Sequence, residues 1–181
     1  MTRIILVYGL ISGLVIIFAI LGTLVMFQGD PPHSNAFIGY LIMLVALSSI
    51  FVGVRQHRDR NLGGVIRFRT ALGIGLGIAA LAALAYILIW EVYLAATNYA
   101  FMDQYIAQTL EAKRAAGVSG EAWARAVAET ETMRVQYANP LIRVPITFAE
   151  IFPVGLVISL VSAALLRNPR FLPARPPISP A

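Results

Sequence analysis

Two carboxylates, Glu91 and Glu150, stand inside runs of otherwise apolar residues. An acid in such a run needs a partner, or else it exchanges a proton or holds a cation. Left charged and alone at mid-bilayer it costs about 2.5 kcal/mol or more. Arg143 precedes Glu150 by seven residues, two turns along one helix face, and is an expected partner alongside a tyrosine or backbone donors. Pro153 acts at the same place. It has no N–H, so the carbonyl four residues back, on Ala149, loses its helical donor. Two readings of Glu91, Arg143, Glu150 and Pro153 stay open. They anchor helices, with Glu91 reaching headgroups beside Trp90, or they form a proton or cation site.

A second dense segment runs from Arg55 to Arg69 and carries Arg55, Arg58, Arg60, Arg67 and Arg69. Guanidinium groups at a membrane face meet lipid phosphates, so these five are candidate headgroup contacts. Gly63-Gly64 permits a tight turn, and Ile66 and Phe68 are placed to dip into the interface. The alternative is that the five only orient the chain by their charge.

Enzyme chemistry finds little support. There is no cysteine, so thiolate metal sites and cysteine nucleophiles are excluded. His33 and His57 fall in expected loops, which leaves a haem between spans without axial ligands. There is no H-E-x-x-H zinc motif. Ser12, in Leu10-Ile11-Ser12-Gly13, has no histidine in any span to activate it. Gly73, Gly75 and Gly77 follow no strand and precede no Lys-Ser/Thr, so they suit helix packing and not a phosphate loop. The expectation is no enzyme, no cofactor and no metal.

The elements that hold these residues follow from composition. Of 181 residues, 59% are hydrophobic and 13% charged, with a mean hydropathy of +0.76. Soluble domains lie near ~45–50% and ~25%. Four apolar runs, at about 4–27, 37–54, 71–96 and 144–166, each reach the ~20 residues that cross a hydrocarbon core as a helix. On these bounds Glu150 lies about six residues, or roughly 9 Å, into the fourth span. The first run is too long for a secretory signal, so it is expected as a retained anchor. Strands are unsuited, because the runs do not alternate and an open sheet leaves backbone groups unpaired in lipid.

Residues 98–139, between the third and fourth runs, carry helical apolar stripes. Met102, Tyr105, Ile106 and Leu110 form one. Trp123, Ala126, Val127, Met133 and Tyr137 form the other. Gly117 can stop the first helix, Ser119 can cap the second, and Asn139-Pro140 ends it. The predicted fold is all-α: a four-span transmembrane bundle with an extramembrane helical hairpin between the third and fourth spans. Its helices lie near 99–116 and 120–138. Residues 1–168 form one membrane domain, and the Pro- and Arg-rich residues 169–181 form a disordered tail.

The formal charge is +5, and nine of the fourteen Lys and Arg residues fall before the first span, between the second and third, and after the fourth. The positive-inside rule puts those segments in the cytoplasm, with both termini, and puts residues 97–143 outside. The basic excess therefore reads as orientation and not as nucleic-acid binding. The expected partner is the lipid bilayer. Small residues recur on every span: Gly9 and Gly13; Gly39, Ala46 and Gly53; Ala71, Gly75, Ala79 and Ala83; Gly155, Ser159 and Ala163. Such faces let helices approach closely. They suit packing within the chain, a homodimer, or another membrane protein.

Several segments together resemble a bacterial membrane family, the domain of unknown function 4199. They are Val7-Tyr8-Gly9-Leu10-Ile11-Ser12-Gly13, Ile38-Gly39-Tyr40, and Phe51-Val52-Gly53-Val54-Arg55 with Arg58-Asp59. Gly63-Gly64-Val65-Ile66-Arg67-Phe68 and Glu150-Ile151-Phe152-Pro153-Val154-Gly155-Leu156 complete the set. The resemblance covers residues 7 to 167. It implies four spans with a helical segment before the last, and it brings no activity, cofactor or catalytic residue. The role expected is a non-enzymatic structural or accessory subunit of the bacterial cytoplasmic membrane. The alternative is a small ion- or proton-coupled transporter.

Overall fold

The structure, a computed structural model, describes residues 1–26 and 36–174. His33, the first interspan loop and residues 175–181 lie outside the described residues. Seven helices make up the rest: α1 (Thr2–Met26), α2 (Ala36–Leu47), α3 (Ser49–Asn61), α4 (Phe68–Ala96), α5 (Ala100–Ala115), α6 (Gly120–Ala138) and α7 (Pro140–Leu166). No strand occurs among the described residues.

Four stretches are long and apolar enough to cross a membrane: Thr2–Ala19, Gly39–Asn61, Phe68–Ala96 and Pro140–Leu166. The chain is a multi-pass membrane protein. The second stretch consists of α2 and α3, which meet at a turn on Ser48. It runs farther than the expected 37–54. Arg55, Arg58 and Arg60, expected in a loop, occupy the last two turns of α3. The connection to α4 shrinks to a few residues around Gly63 and Gly64, whose φ of +63° and +91° only glycine tolerates easily. At the other end, α7 starts four residues before the expected span. Pro140 suits the first helical turn, and the Asn139 side chain accepts a hydrogen bond from the Leu141 N–H at 3.0 Å.

Helix α4 lies at the centre, packed on α1 and α7. With no hydrophobic drive between helices in lipid, close approach has to supply the attraction, and the small residues do so. A Cβ on Gly75 would stand 2.7 Å from the Ser159 hydroxyl, and one on Gly155 would stand 2.6 Å from the Ala79 Cβ. On α1, Gly9 faces Leu81 and Gly13 faces Ala85. The Gly9–Gly13 face is thus filled from within the chain. Ser12, Ser49, Tyr8 and Gln56 add polar stitches between α1 and α3. Ser12 bonds the Ser49 hydroxyl and the Tyr8 carbonyl, and the Tyr8 hydroxyl donates to Gln56 Oε1.

Helices α5 and α6 carry ion pairs between them, Lys113 to Glu129 at 3.9 Å and Arg134 to Asp103 at 3.1 Å. Gly117, at φ +81°, ends α5 as its sequence position suggests. Ser119 sits at the N-cap of α6 with extended backbone, but its side chain makes no capping bond, so the cap is one of position only. The buried seams are Met102 and Ile106 on α5 with Ala126 and Thr130 on α6. Tyr105, Val127 and Met133, also members of the two apolar stripes, are exposed.

Candidate functional site

The charged pairing differs from the one expected. Arg143 bonds Glu91, not Glu150. Its Nε donates to Glu91 Oε1 at 2.8 Å and its Nη2 to Oε2 at 2.6 Å. This is the two-pronged geometry in which a guanidinium matches a carboxylate best. Arg143 Nη1 also donates to the carbonyls of Tyr137 at 2.8 Å and Ala138 at 3.5 Å. These carbonyls close α6, where the helix dipole leaves partial negative charge. The guanidinium lies 5.4 Å from the Tyr99 ring and 5.7 Å from the Tyr137 ring. Arg143 is 1% exposed, and one side chain joins α4, α6 and α7.

An aromatic cluster surrounds it. Trp90 Nε1 donates to the Tyr137 hydroxyl at 2.7 Å, and Phe101 stands edge-on to Trp90. Burial pushes the Tyr137 hydroxyl above its ordinary pKa, so it stays protonated. Tyr99 enters α5 in the left-handed conformation at φ +59°, directly after Asn98 at +51°. Two such residues in succession turn the chain sharply and bring Tyr99 back beside Arg143. Neither Tyr99 nor Tyr137 stands out in the sequence as an arginine contact. The one local signal is that Tyr137 lies two residues before the Asn139-Pro140 break.

Glu150 lies apart. It is exposed on the bundle surface and makes no hydrogen bond or ion pair. Because α7 begins at Pro140, Glu150 is ten residues into the helix, about 15 Å along it, which is deeper than the expected 9 Å. Its carboxylate is near enough to Tyr86 and Tyr137 to act on them electrostatically. Pro153 is exposed one turn beyond, and α7 continues through both Pro145 and Pro153.

At the opposite end the five arginines separate. Arg58 is fully buried. Its Nε donates to Asp59 Oδ1 at 2.6 Å, Nη1 to the Phe171 carbonyl at 2.9 Å, and Nη2 to the Leu172 carbonyl. Phe171 also stands edge-on to Phe51. Arg58 therefore cannot touch headgroups. Residues 171–172 of the expected disordered tail are held against α3 instead. Arg67 and Arg69 are exposed, while Ile66, expected at the interface, is buried in the core. His57, expected in a loop, is on α3 and buried, and its Nδ1 has no hydrogen-bond partner. Arg55 and Arg60 line an open, shallow surface cleft of about 290 Å³ with Tyr8, Val52, Gln56 and Asp59. Among the described residues no three His, Asp or Glu side chains come together as a metal site.

The family described as protein of unknown function (DUF4199) matches residues 7–168. The chain belongs to this family. No curated protein and no solved structure matches it. The family match includes Arg143, Glu91, Glu150 and the whole of α3. It stops before Phe171 and Leu172, so the segment that Arg58 grips lies outside the DUF4199 region. Chemically, Arg143 and Glu91 form a mutually neutralised ion pair that links α4, α6 and α7. Glu150 is an unpaired acid. The Arg55–Arg60 face is a cationic surface.

Proposed function

We propose that this chain is a non-enzymatic structural or accessory subunit of the bacterial cytoplasmic membrane, with both termini and the arginine-rich end in the cytoplasm. The observation that carries this reading is the use made of Arg143 and Glu91. The two opposite charges neutralise each other in a joint between three helices. The close contacts of Gly75 with Ser159 and of Gly155 with Ala79 support it, because they press α4 and α7 together at mid-span. Any self-association would have to use surface other than the Gly9–Gly13 face.

Glu150 favours a second reading, a small ion- or proton-coupled transporter, because an unpaired acid well inside a span has no structural duty here. One experiment separates the two. Wild-type protein and Glu150→Gln are reconstituted in proteoliposomes, and proton and cation flux are followed under an imposed gradient. The subunit reading expects no flux above empty liposomes from either. Flux from the wild type that Glu150→Gln abolishes, with the fold intact, would replace it with the transporter.

A further inference from the structure

The arginine-rich end holds a surface more specific than a spread of positive charge. Val52, Arg55, Gln56, Asp59 and Arg60 follow one another at helical spacing, so they share one face of α3. Tyr8 of α1 borders that face, and together they line the shallow 290 Å³ surface cleft. We propose that this face is a binding site for the phosphodiester headgroup of one anionic phospholipid. The inference holds for either role above, because it rests only on the chain spanning a membrane.

The charges decide the ligand's sign. Asp59 is the one acid on the face, and it is already engaged. Its Oδ1 accepts from Arg58 at 2.6 Å, and its Oδ2 lies 3.4 Å from Arg55. Arg58 cannot turn away, because its other nitrogens are held by the Phe171 and Leu172 carbonyls. Arg60 makes no ion pair or hydrogen bond. The Tyr8 hydroxyl takes the Gln56 oxygen, which leaves the Gln56 amide nitrogen as a donor. The face therefore offers two guanidinium groups and an amide, with no free carboxylate for a ligand ammonium. A phosphodiester with a neutral headgroup fits these donors. A zwitterionic ethanolamine headgroup leaves its ammonium unmatched.

The order of residues along α3 selects a lipid over free phosphate. Val52 is half exposed and lies about 12 Å along the axis from Arg60, toward the middle of the span. Apolar wall below and cations above repeat the order of acyl chain and phosphate in a leaflet. Arg67 and Arg69 do not line the cleft and serve as a control.

The test is native mass spectrometry of the full chain released from mixed micelles containing phosphatidylglycerol and phosphatidylethanolamine in equal amounts. One phosphatidylglycerol molecule should be retained in preference. Arg60→Gln, which breaks no hydrogen bond or ion pair within the protein, should weaken that retention about fivefold, the worth of one arginine near a charged surface. Arg55→Gln/Arg60→Gln should remove the preference, and Arg67→Gln/Arg69→Gln should leave it unchanged. Equal loss in the Arg67/Arg69 variant would show diffuse charge and overturn the site. So would equal retention of phosphatidylethanolamine, or retention unaltered by Arg60→Gln. Displacement of the lipid by millimolar inorganic phosphate would overturn the lipid assignment in favour of a free-phosphate site.

Discussion

Arg143 and Glu91, 52 residues apart in the chain, meet in a two-pronged ion pair with bonds of 2.8 and 2.6 Å. The arginine is buried and the side chain of the glutamate is 29% exposed. The partners are thus unequal, since a lone Glu91 can reach water or headgroups and a lone Arg143 cannot. Removing one partner of a buried pair costs about 3–5 kcal/mol. Glu91→Gln strands the buried charge and should fall near the lower end of that range, because Tyr137 O and Ala138 O still accept from Arg143. In detergent, thermal unfolding followed by the fluorescence of Trp90 in a Trp123→Phe background should show a clear drop. The Glu91→Ala/Arg143→Ala double variant should lose less than the sum of its singles, by about 1–3 kcal/mol. Additive losses would show that the two side chains act independently.

Glu150→Gln should behave in the opposite way. The side chain makes no hydrogen bond or ion pair, so nothing in the bundle is lost. The change also removes an ionisable group from the span. The unfolding midpoint should stay the same or rise, within about 0.5 kcal/mol of wild type or above it. A loss of more than 1 kcal/mol would reveal a contact that the bundle surface does not show.

Packing at mid-span gives a paired test. Gly155→Ala places a methyl 2.6 Å from the Ala79 Cβ, and overpacking of this kind costs about 1–3 kcal/mol. Gly73→Ala meets nothing within 4 Å and gains helix propensity of up to about 1 kcal/mol. Denaturation in matched detergent should separate the two in sign. Equal responses would mean that α4 and α7 are less tightly joined than the contact distances require.

The grip of Arg58 on the chain after α7 is open to proteolysis. Arg58→Ala deletes the donors to the Phe171 and Leu172 carbonyls. Trypsin should then cut after Arg170 severalfold faster than in wild type. An unchanged rate would show that Phe171 against Phe51 is sufficient to hold the segment.

Orientation is read from arginines and is testable directly, because the chain has no cysteine of its own. Single cysteines at Ser119 and Ser179 should differ toward an impermeant maleimide in spheroplasts. Ser119→Cys should label in intact spheroplasts, and Ser179→Cys only after permeabilisation. The reverse pattern would invert the topology.

The number of spans, the helical character of 98–139, the turn at Gly63-Gly64 and the ends at Gly117 and Asn139-Pro140 were legible from sequence alone, whereas the extension of α3 to Asn61 was not. Each legible feature depends on local quantities. Bilayer thickness sets the length of an apolar run, and turn conformations select glycine and proline. What Arg143 pairs with was not local. The two-turn spacing to Glu150 put both residues on one face of α7, but it carried no information about which way that face turns. The rotation of α7 against α4 decides that, and it follows from the fit of Gly155 on Ala79 and of Gly75 on Ser159. That fit brings Glu91 to the guanidinium and leaves Glu150 on the surface. Arg58 shows the same division. Among five arginines of one segment, helical phase and the return of Phe171 bury one and leave Arg55 and Arg60 at the face. Both outcomes depend on contacts between residues more than 50 positions apart, and only the folded chain brings these together.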